Sequence, residues 1–172
     1  MALIVQKFGG TSVADLDRIR AVARRVAATV KDGHQVAVVV SAMAGVTNQL
    51  VTWVREAAAD VDAREYDNVV ATGEQVTSGL LALALGAEGV AARSWLGWQL
   101  PIQTEGAHGR ARISGIETAA LRRGLEQGIV QVVAGFQGLG ADNRIATLGR
   151  GGSDITAVAL AAALGAERCD IY

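Results

Sequence analysis

Four stretches of the sequence carry side chains suited to chemistry on a small charged molecule. Lys7-Phe8-Gly9-Gly10-Thr11-Ser12 sets a lysine before paired glycines. Lacking Cβ atoms, Gly9 and Gly10 let backbone N–H groups approach an anion, and Lys7 adds a mobile full charge. Leu148-Gly149-Arg150-Gly151-Gly152-Ser153-Asp154 repeats the theme with an arginine, a hydroxyl and a carboxylate. Ser41-Ala42-Met43-Ala44-Gly45-Val46-Thr47-Asn48 offers hydroxyls and an amide. Thr72-Gly73-Glu74-Gln75 places a glutamate among apolar neighbours, where a carboxylate is costly unless paired. Taken jointly, these residues suit phosphoryl transfer to a small zwitterion. Backbone N–H groups and Lys7 would stabilise charge on the transferring group. Arg150 would clasp a carboxylate with its planar fork, Glu74 would hold an ammonium, and Asp154 would orient the lysine or metal-bound phosphates. Three of the stretches also have a plainer reading. Lys7 to Ser12 would serve as a tight strand-to-helix turn with a solvated lysine, Thr47 or Asn48 as a helix cap, and Glu74 as a partly exposed helical residue.

The pattern of apolar residues supplies the elements that position these groups. Ala2 to Val5 reads as a buried strand leading into the first Gly pair. Ser12-Val13-Ala14-Asp15 is a capping-box pattern, and Val13, Leu16, Ile19, Ala23, Val26 and Val30 recur at helical spacing until Gly33. Val36 to Val40 is apolar throughout, as in a strand buried on both faces of a parallel sheet. Leu50, Val51, Val54 and Ala58 predict the next helix, followed by a polar stretch from Asp60 to Asp67. Val69 to Leu85 reads as one long helix interrupted at Thr72 to Gln75. Val90 to Leu96 and Leu100 to Gln103 read as short strands, with Pro101 marking an edge or a strand start. Ile113 to Leu125 is expected to be helical. Ile129 to Ala134 is a buried strand ending at Gly135-Phe136-Gln137-Gly138, and Asn143 to Thr147 is a short strand. Ile155 to Leu164 is a helix opened by the second Gly-rich loop, and Cys169 to Tyr172 begins another strand. Alternating strands and helices with fully apolar strands predict an α/β fold, its sheet mostly parallel and covered by helices on both faces.

Bulk properties narrow the function classes. A chain of 172 residues with 51% hydrophobic residues suits a single domain with a real core. A formal net charge of −1 gives no basic surface for nucleic acid or anionic membranes. The single cysteine, Cys169, excludes an internal disulfide and fits a reducing compartment. The start of the chain does not read as a signal peptide, and Ala157 to Ala166 is too short to span a bilayer. The sequence lacks Gly-x-x-x-x-Gly-Lys and Gly-x-Ser-x-Gly, which disfavours a Walker-type nucleotide loop and a hydrolase nucleophile elbow. His34 and His108 are far apart, without partners at metal-ligand spacing, and read as ordinary surface or turn residues.

These motifs together resemble the aspartate kinase family, within the wider amino-acid kinase fold. The stretches that carry the resemblance are Lys7 to Ser12, Val40 to Met43 with Gly45 to Asn48, Thr72 to Gln75, Ala134 to Gly138 and Gly149 to Asp154, in the family's order along the whole chain. The resemblance implies a three-layer α/β/α sandwich with a mostly parallel central sheet (carbamate kinase-like). It implies catalytic roles for Lys7 and Asp154, and contact of Lys7, Phe8, Gly9 and Gly10 with the phosphates of ATP. Ser41, Thr47, Glu74, Phe136, Arg150, Gly151, Gly152, Ser153 and Asp154 would bind L-aspartate, with Glu74 on its α-amino group and Arg150 on its α-carboxylate. No residue is assigned as a metal ligand, and Mg²⁺ would arrive on the nucleotide. The product would be 4-phospho-L-aspartate, on the route to lysine, threonine and methionine. Residues 1–172 correspond to the N-terminal, amino-acid-binding portion of that domain. The family's Thr-Asp-rich nucleotide segment and the regulatory ACT domains do not appear in the sequence. The expectation is a cytoplasmic protein that forms a homo-oligomer or pairs with a chain supplying the nucleotide-binding half. By itself, the chain is expected to bind ATP poorly. Within the same fold, the alternatives are a kinase of glutamate, acetylglutamate or a nucleoside monophosphate. A non-catalytic aspartate-binding subunit is an alternative of another class.

Overall fold

A computed structural model describes residues 1–172. In chain order the elements are β1 (Leu3–Phe8), α1 (Leu16–Lys31), β2 (Gln35–Val40), α2 (Val46–Ala57), α3 (Ala63–Val70), α4 (Thr72–Ala87), β3 (Ala92–Trp95), β4 (Ile102–Glu105), β5 (Arg112–Ile116), α5 (Ala119–Glu126), β6 (Val130–Ala134), β7 (Gln137–Leu139), β8 (Ile145–Thr147), α6 (Gly152–Leu164) and β9 (Arg168–Ile171). The main sheet has five strands in the order β3-β6-β2-β1-β9, all paired in parallel. A second, mixed sheet of order β5-β4-β7-β8 stands beside it.

The apolar run of β2 follows from burial on both sides. Val36, Val38 and Val40 face α1 and α4, packing with Ile19, Val26, Leu81 and Leu85. Ala37 and Val39 face α5 and α6, packing with Leu121, Leu125, Leu160 and Leu164. Successive strand residues point to opposite faces, so a strand covered by helices on each side has no polar position to offer. The two clusters are the interfaces of an α/β/α sandwich, as the resemblance implies.

Several local expectations need correction. The chain from Ile113 to Leu125 is not one helix. It is a strand, β5, followed by α5. Ile113 and Ile116 are three apart, a helical spacing, yet both pack on the same apolar cluster. A register shift explains this. Gln103 pairs with Gly115 and Thr104 with Ile113, so Ser114 is an extra residue that flips the strand's parity. The polar stretch before Val69 contains α3, whose Asp67 is fully buried. The long helix breaks at Ala71, between α3 and α4. Gly135 to Gly138 runs into a strand, β7. The first helix is capped by Asp15, whose carboxylate accepts from the Arg18 amide at 2.8 Å, and not by Ser12, whose amide donates to the Gly9 carbonyl. Leu16, expected on its apolar face, is exposed.

The helical run Ala63–Ala87 is long and apolar enough to cross a bilayer by length and composition. Within the fold its Leu81 and Leu85 are core residues, and its buried Asp67 and Glu74 bond to other parts of the chain.

Candidate active site

The carboxyl ends of β1, β2 and β6 open into a cleft of about 710 Å³. Lys7, Gly10, Ser41, Thr47, Glu74, Phe136, Arg150, Gly151, Gly152, Ser153 and Asp154 all line it. The structure therefore brings together residues 147 positions apart along the chain, from Lys7 to Asp154, at the place where open α/β sheets bind ligands.

Strand parity decides which part of the first Gly-rich stretch can act there. Lys7 lies on the same side of β1 as Val5, toward α6, and its Nζ is 2.6 Å from Asp154 Oδ1. Phe8 points the opposite way, into the core under α1, where it is 2% exposed and stacks on Tyr172 with ring centroids 5.0 Å apart. Its carbonyl accepts from the Ser41 amide. The Phe8 side chain is thus turned away from the cleft that Lys7 enters. Gly9 also stands off the cleft wall. Its amide donates to the Tyr172 carbonyl at 3.0 Å, so it is already committed. A Cβ on Gly9 would sit 3.2 Å from Lys7 Nζ, so its bareness leaves room for the lysine head. Gly10 does reach the cleft. The helix behind these glycines begins only at Leu16, after an intervening turn, so α1 does not direct its N-terminus at this loop.

Two other helices do. α2 starts after Gly45 (φ 80°) and α6 after Gly151 (φ 76°), and neither has a capping side chain. A left-handed backbone at both positions is open to glycine without strain. Because both helices lack caps, the N–H groups of Thr47 and Asn48 in α2 and of Gly152, Ser153 and Asp154 in α6 remain available to an acceptor in the cleft, while the Val46 amide donates to the Met43 carbonyl. Their dipoles favour negative charge there. The expected caps Thr47 and Asn48 instead sit inside the first turn of α2 and line the cleft.

Glu74, in the first turn of α4, is 3% exposed. Its Oε1 accepts from the Ala42 amide at 3.1 Å, and its Oε2 is buried with no partner. Burial pushes its pKa up to about 7, while the backbone hydrogen bonds pull the other way. A half-satisfied carboxylate facing a polar cleft is suited to a cationic group. Close packing fixes its helix, since a Cβ on Gly73 would lie 2.7 Å from the Ala42 Cβ. Gln137, fully buried, ties the α3–α4 joint to β7. Its Nε2 donates to the Ala71 carbonyl at 2.9 Å and its Oε1 accepts from Gln75 Nε2 at 3.1 Å.

Phe136 holds a left-handed backbone (φ 69°), which costs a non-glycine residue about 1 kcal/mol. It is held there by its amide, which donates to Thr156 Oγ1 at 3.1 Å, and by its carbonyl, which accepts from Leu148. Its ring covers Gly152, where a Cβ would come within 2.6 Å of Cδ2. Arg150 is exposed on the loop before α6 and has no partner within the chain.

The cleft also contains residues that were not expected, Tyr66 and Gly109 among them. Both lie beside Asp67, whose burial in a polar stretch left no periodic signal. His108 is likewise no ordinary turn residue. It sits between Asp67 (Nδ1 to Oδ2, 2.8 Å) and Asp142 (Nε2 to Oδ2, 3.3 Å). His34 has a local role, its Nδ1 accepting from the Ala2 amide.

A doubly covered parallel sheet, a lysine–aspartate pair at its strand ends and two uncapped helices facing one cleft define a domain built to handle small anionic groups. The chain belongs to the amino acid kinase family, whose model matches residues 2–172. Within the family it is similar to aspartokinases. It is 54% identical to Aspartokinase 2 of Bacillus subtilis over 172 residues, which is all of this chain and 42% of that protein. It is 52% identical to the aspartokinase of Rickettsia bellii, covering all of this chain and 43% of that protein. Among solved structures, aspartate kinase from Synechocystis superposes with a TM-score of 0.84 at 48% identity, covering 99% of this chain and 28% of that one. E. coli aspartokinase III in complex with aspartate and ADP superposes with a TM-score of 0.83 at 30% identity, covering 99% of this chain and 48% of that one. The chain thus spans less than half the length of each of these four relatives.

Proposed function

We propose that the chain is the amino-acid-binding portion of an aspartokinase, which transfers the terminal phosphoryl group of ATP to the side-chain carboxylate of L-aspartate. The observation that carries this reading is the arrangement around Glu74. Its unpartnered Oε2 offers a site for an ammonium, and the same cleft holds Arg150 and two uncapped helix N-termini for carboxylates. An α-amino diacid has that distribution of charge. The similarity to aspartokinases, one of them solved with aspartate and ADP, supports the choice of aspartate over glutamate, acetylglutamate or a nucleotide acceptor.

In this reading Glu74 takes the α-ammonium and Arg150 the α-carboxylate. Ser41, Thr47, Phe136, Gly151, Gly152 and Ser153 line the space between. Lys7 stands where charge develops on the transferring phosphoryl group, with Gly10 beside it, and Asp154 holds the lysine head in place. Asp154 and Glu74 are the only carboxylates on the cleft wall, so Mg²⁺ would be carried chiefly by the nucleotide's own phosphates. The base and ribose are assigned outside residues 1–172, either further along the protein or on a partner. β9 forms one edge of the main sheet, open to a further strand from such a source. We place the protein in the cytoplasm, in line with its single cysteine.

Isothermal titration of the chain with L-aspartate, L-glutamate and succinate tests the site. L-aspartate should bind, and succinate, which lacks the ammonium, should bind at least roughly tenfold more weakly. Equal binding of aspartate and succinate would refute the role of Glu74. In the native-length protein, ADP release that depends on glutamate and not on aspartate would refute the substrate.

A further inference from the structure

Asp67 is fully buried, does not line the cleft, and has no part in the chemistry described above. Yet it is the most heavily bonded carboxylate in the chain. Its Oδ2 accepts from His108 Nδ1 (2.8 Å), the Gly109 amide (3.0 Å) and the Thr147 amide (2.9 Å), and its Oδ1 accepts from Thr147 Oγ1 (2.5 Å). His108 then reaches Asp142 in the β7–β8 turn. Each of these partners adjoins the cleft wall. Tyr66 precedes Asp67 on α3, Gly109 is itself a wall residue, and Thr147 ends β8 directly before Leu148, Gly149 and Arg150. The Thr147 carbonyl also accepts from the Ala111 amide. One buried carboxylate therefore anchors two separate segments to α3, the His108–Gly109 turn and the end of β8, and the second of them leads into the exposed arginine.

We propose that Asp67, acting through Thr147 and His108, is a positioning residue that fixes the Arg150 loop at the height needed to meet the substrate's α-carboxylate. The inference rests on the reading of the cleft as an aspartate site. Arg150 has no internal partner to hold it, so the strand end below it is what restrains its reach. Hydrogen bonds to a buried charge are among the stronger ones, and removing one partner leaves the carboxylate short of a donor with no water to replace it. The strand end then shifts, and the arginine shifts with it.

The test uses the native-length protein, with initial rates measured over L-aspartate and over ATP and with melting temperatures recorded for every variant. Thr147→Val removes the hydroxyl at nearly constant volume, Thr147→Ser retains it, and His108→Gln removes the bridge to Asp142. Asp67→Asn is informative only if folded, so the first three variants carry the test. KM for aspartate should rise roughly tenfold in Thr147→Val and His108→Gln, with KM for ATP changed less than about twofold. Thr147→Ser should restore aspartate KM to near the wild-type value. In an Arg150→Ala background, Thr147→Val should add little further effect, because the residue being positioned is gone. Unchanged aspartate KM in folded variants, equal rises for both substrates, or additivity with Arg150→Ala would each overturn the proposal. If the unaltered protein turns over no L-aspartate, the functional reading fails and takes this inference with it. If it does and the variants match it, this inference alone fails.

Discussion

Lys7 Nζ lies 2.6 Å from Asp154 Oδ1, joining the carboxyl end of β1 to the first turn of α6. The lysine side chain is only 11% exposed while the aspartate is 49% exposed, so the lysine head is largely enclosed and the aspartate that holds it stays open to solvent. A partly exposed pair of this kind contributes little to stability, so its value lies in aiming the charge.

Lys7→Met should therefore fold with a melting temperature close to that of the unaltered chain and still bind L-aspartate. In the native-length protein it should lose roughly a hundredfold or more in kcat, the scale seen when one donor to a developing charge is removed. A coupled ADP assay together with aspartate titration checks both parts. Loss of aspartate binding without loss of kcat would contradict the assignment.

Glu74 makes stability depend on pH in a defined direction. Its pKa is pushed up from 4.5 to about 7 in the folded chain. Between those values the folded state holds a proton that the unfolded state has lost, so stability falls as pH rises through this window. Glu74→Gln should abolish that slope and leave the ligand-free chain more stable at pH 8, by up to about 3 kcal/mol, while weakening aspartate binding. Denaturant melts at pH 5 and pH 8 give the answer, and a variant less stable than its parent at pH 8 would contradict it.

The same residue predicts proton release on binding. An ammonium beside Glu74 favours its charged form and lowers its pKa. Near pH 6.5, titration with L-aspartate in buffers of different ionisation enthalpy should show protons leaving the complex, and the release should vanish in Glu74→Gln. Apparent affinity should strengthen as pH rises through about 7. An affinity flat between pH 6 and pH 8 would contradict this.

One helix offers a matched pair of opposite outcomes. A Cβ at Gly73 meets the Ala42 Cβ at 2.7 Å, whereas one at Gly79 meets nothing within 4 Å. Gly79→Ala should stabilise the chain by about 0.5–1 kcal/mol, since glycine in a helix interior is entropically costly. Gly73→Ala should destabilise it by about 1–3 kcal/mol and shift Glu74 off its mark. Urea unfolding separates the two signs.

Much of the architecture was readable from the apolar spacing alone, because the parallel sheet is covered on both faces and β1, β2 and β6 have little choice of side. The reading went wrong where a local irregularity mimicked another period. The extra residue at Ser114 put Ile113 and Ile116 on one face and imitated a helix. In the site, the cleft residues Lys7, Glu74, Arg150 and Asp154 announced themselves as charged groups next to glycines. Phe8 and Gly9 did not reveal that strand parity and the Tyr172 carbonyl take them out of the cleft. Asp67 and His108 were hidden because their partners, Thr147 and Asp142, lie 80 and 34 residues away in sequence. A carboxylate in a polar stretch looks solvated until the fold closes over it.

The bare starts of α2 and α6 bear on more than recognition. Both helices end at the cleft in amides that no side chain covers, and they approach it from different elements of the fold. An occupant with a negative group at each end would complete both, acting as a cross-brace between two helices that pack on different elements, α2 on α3 and α4 and α6 on the main sheet. Such an occupant is a structural component supplied from solution. The firmness of this region is then set by the occupant's concentration, with about 2.7 kcal/mol gained at a hundred times the dissociation constant.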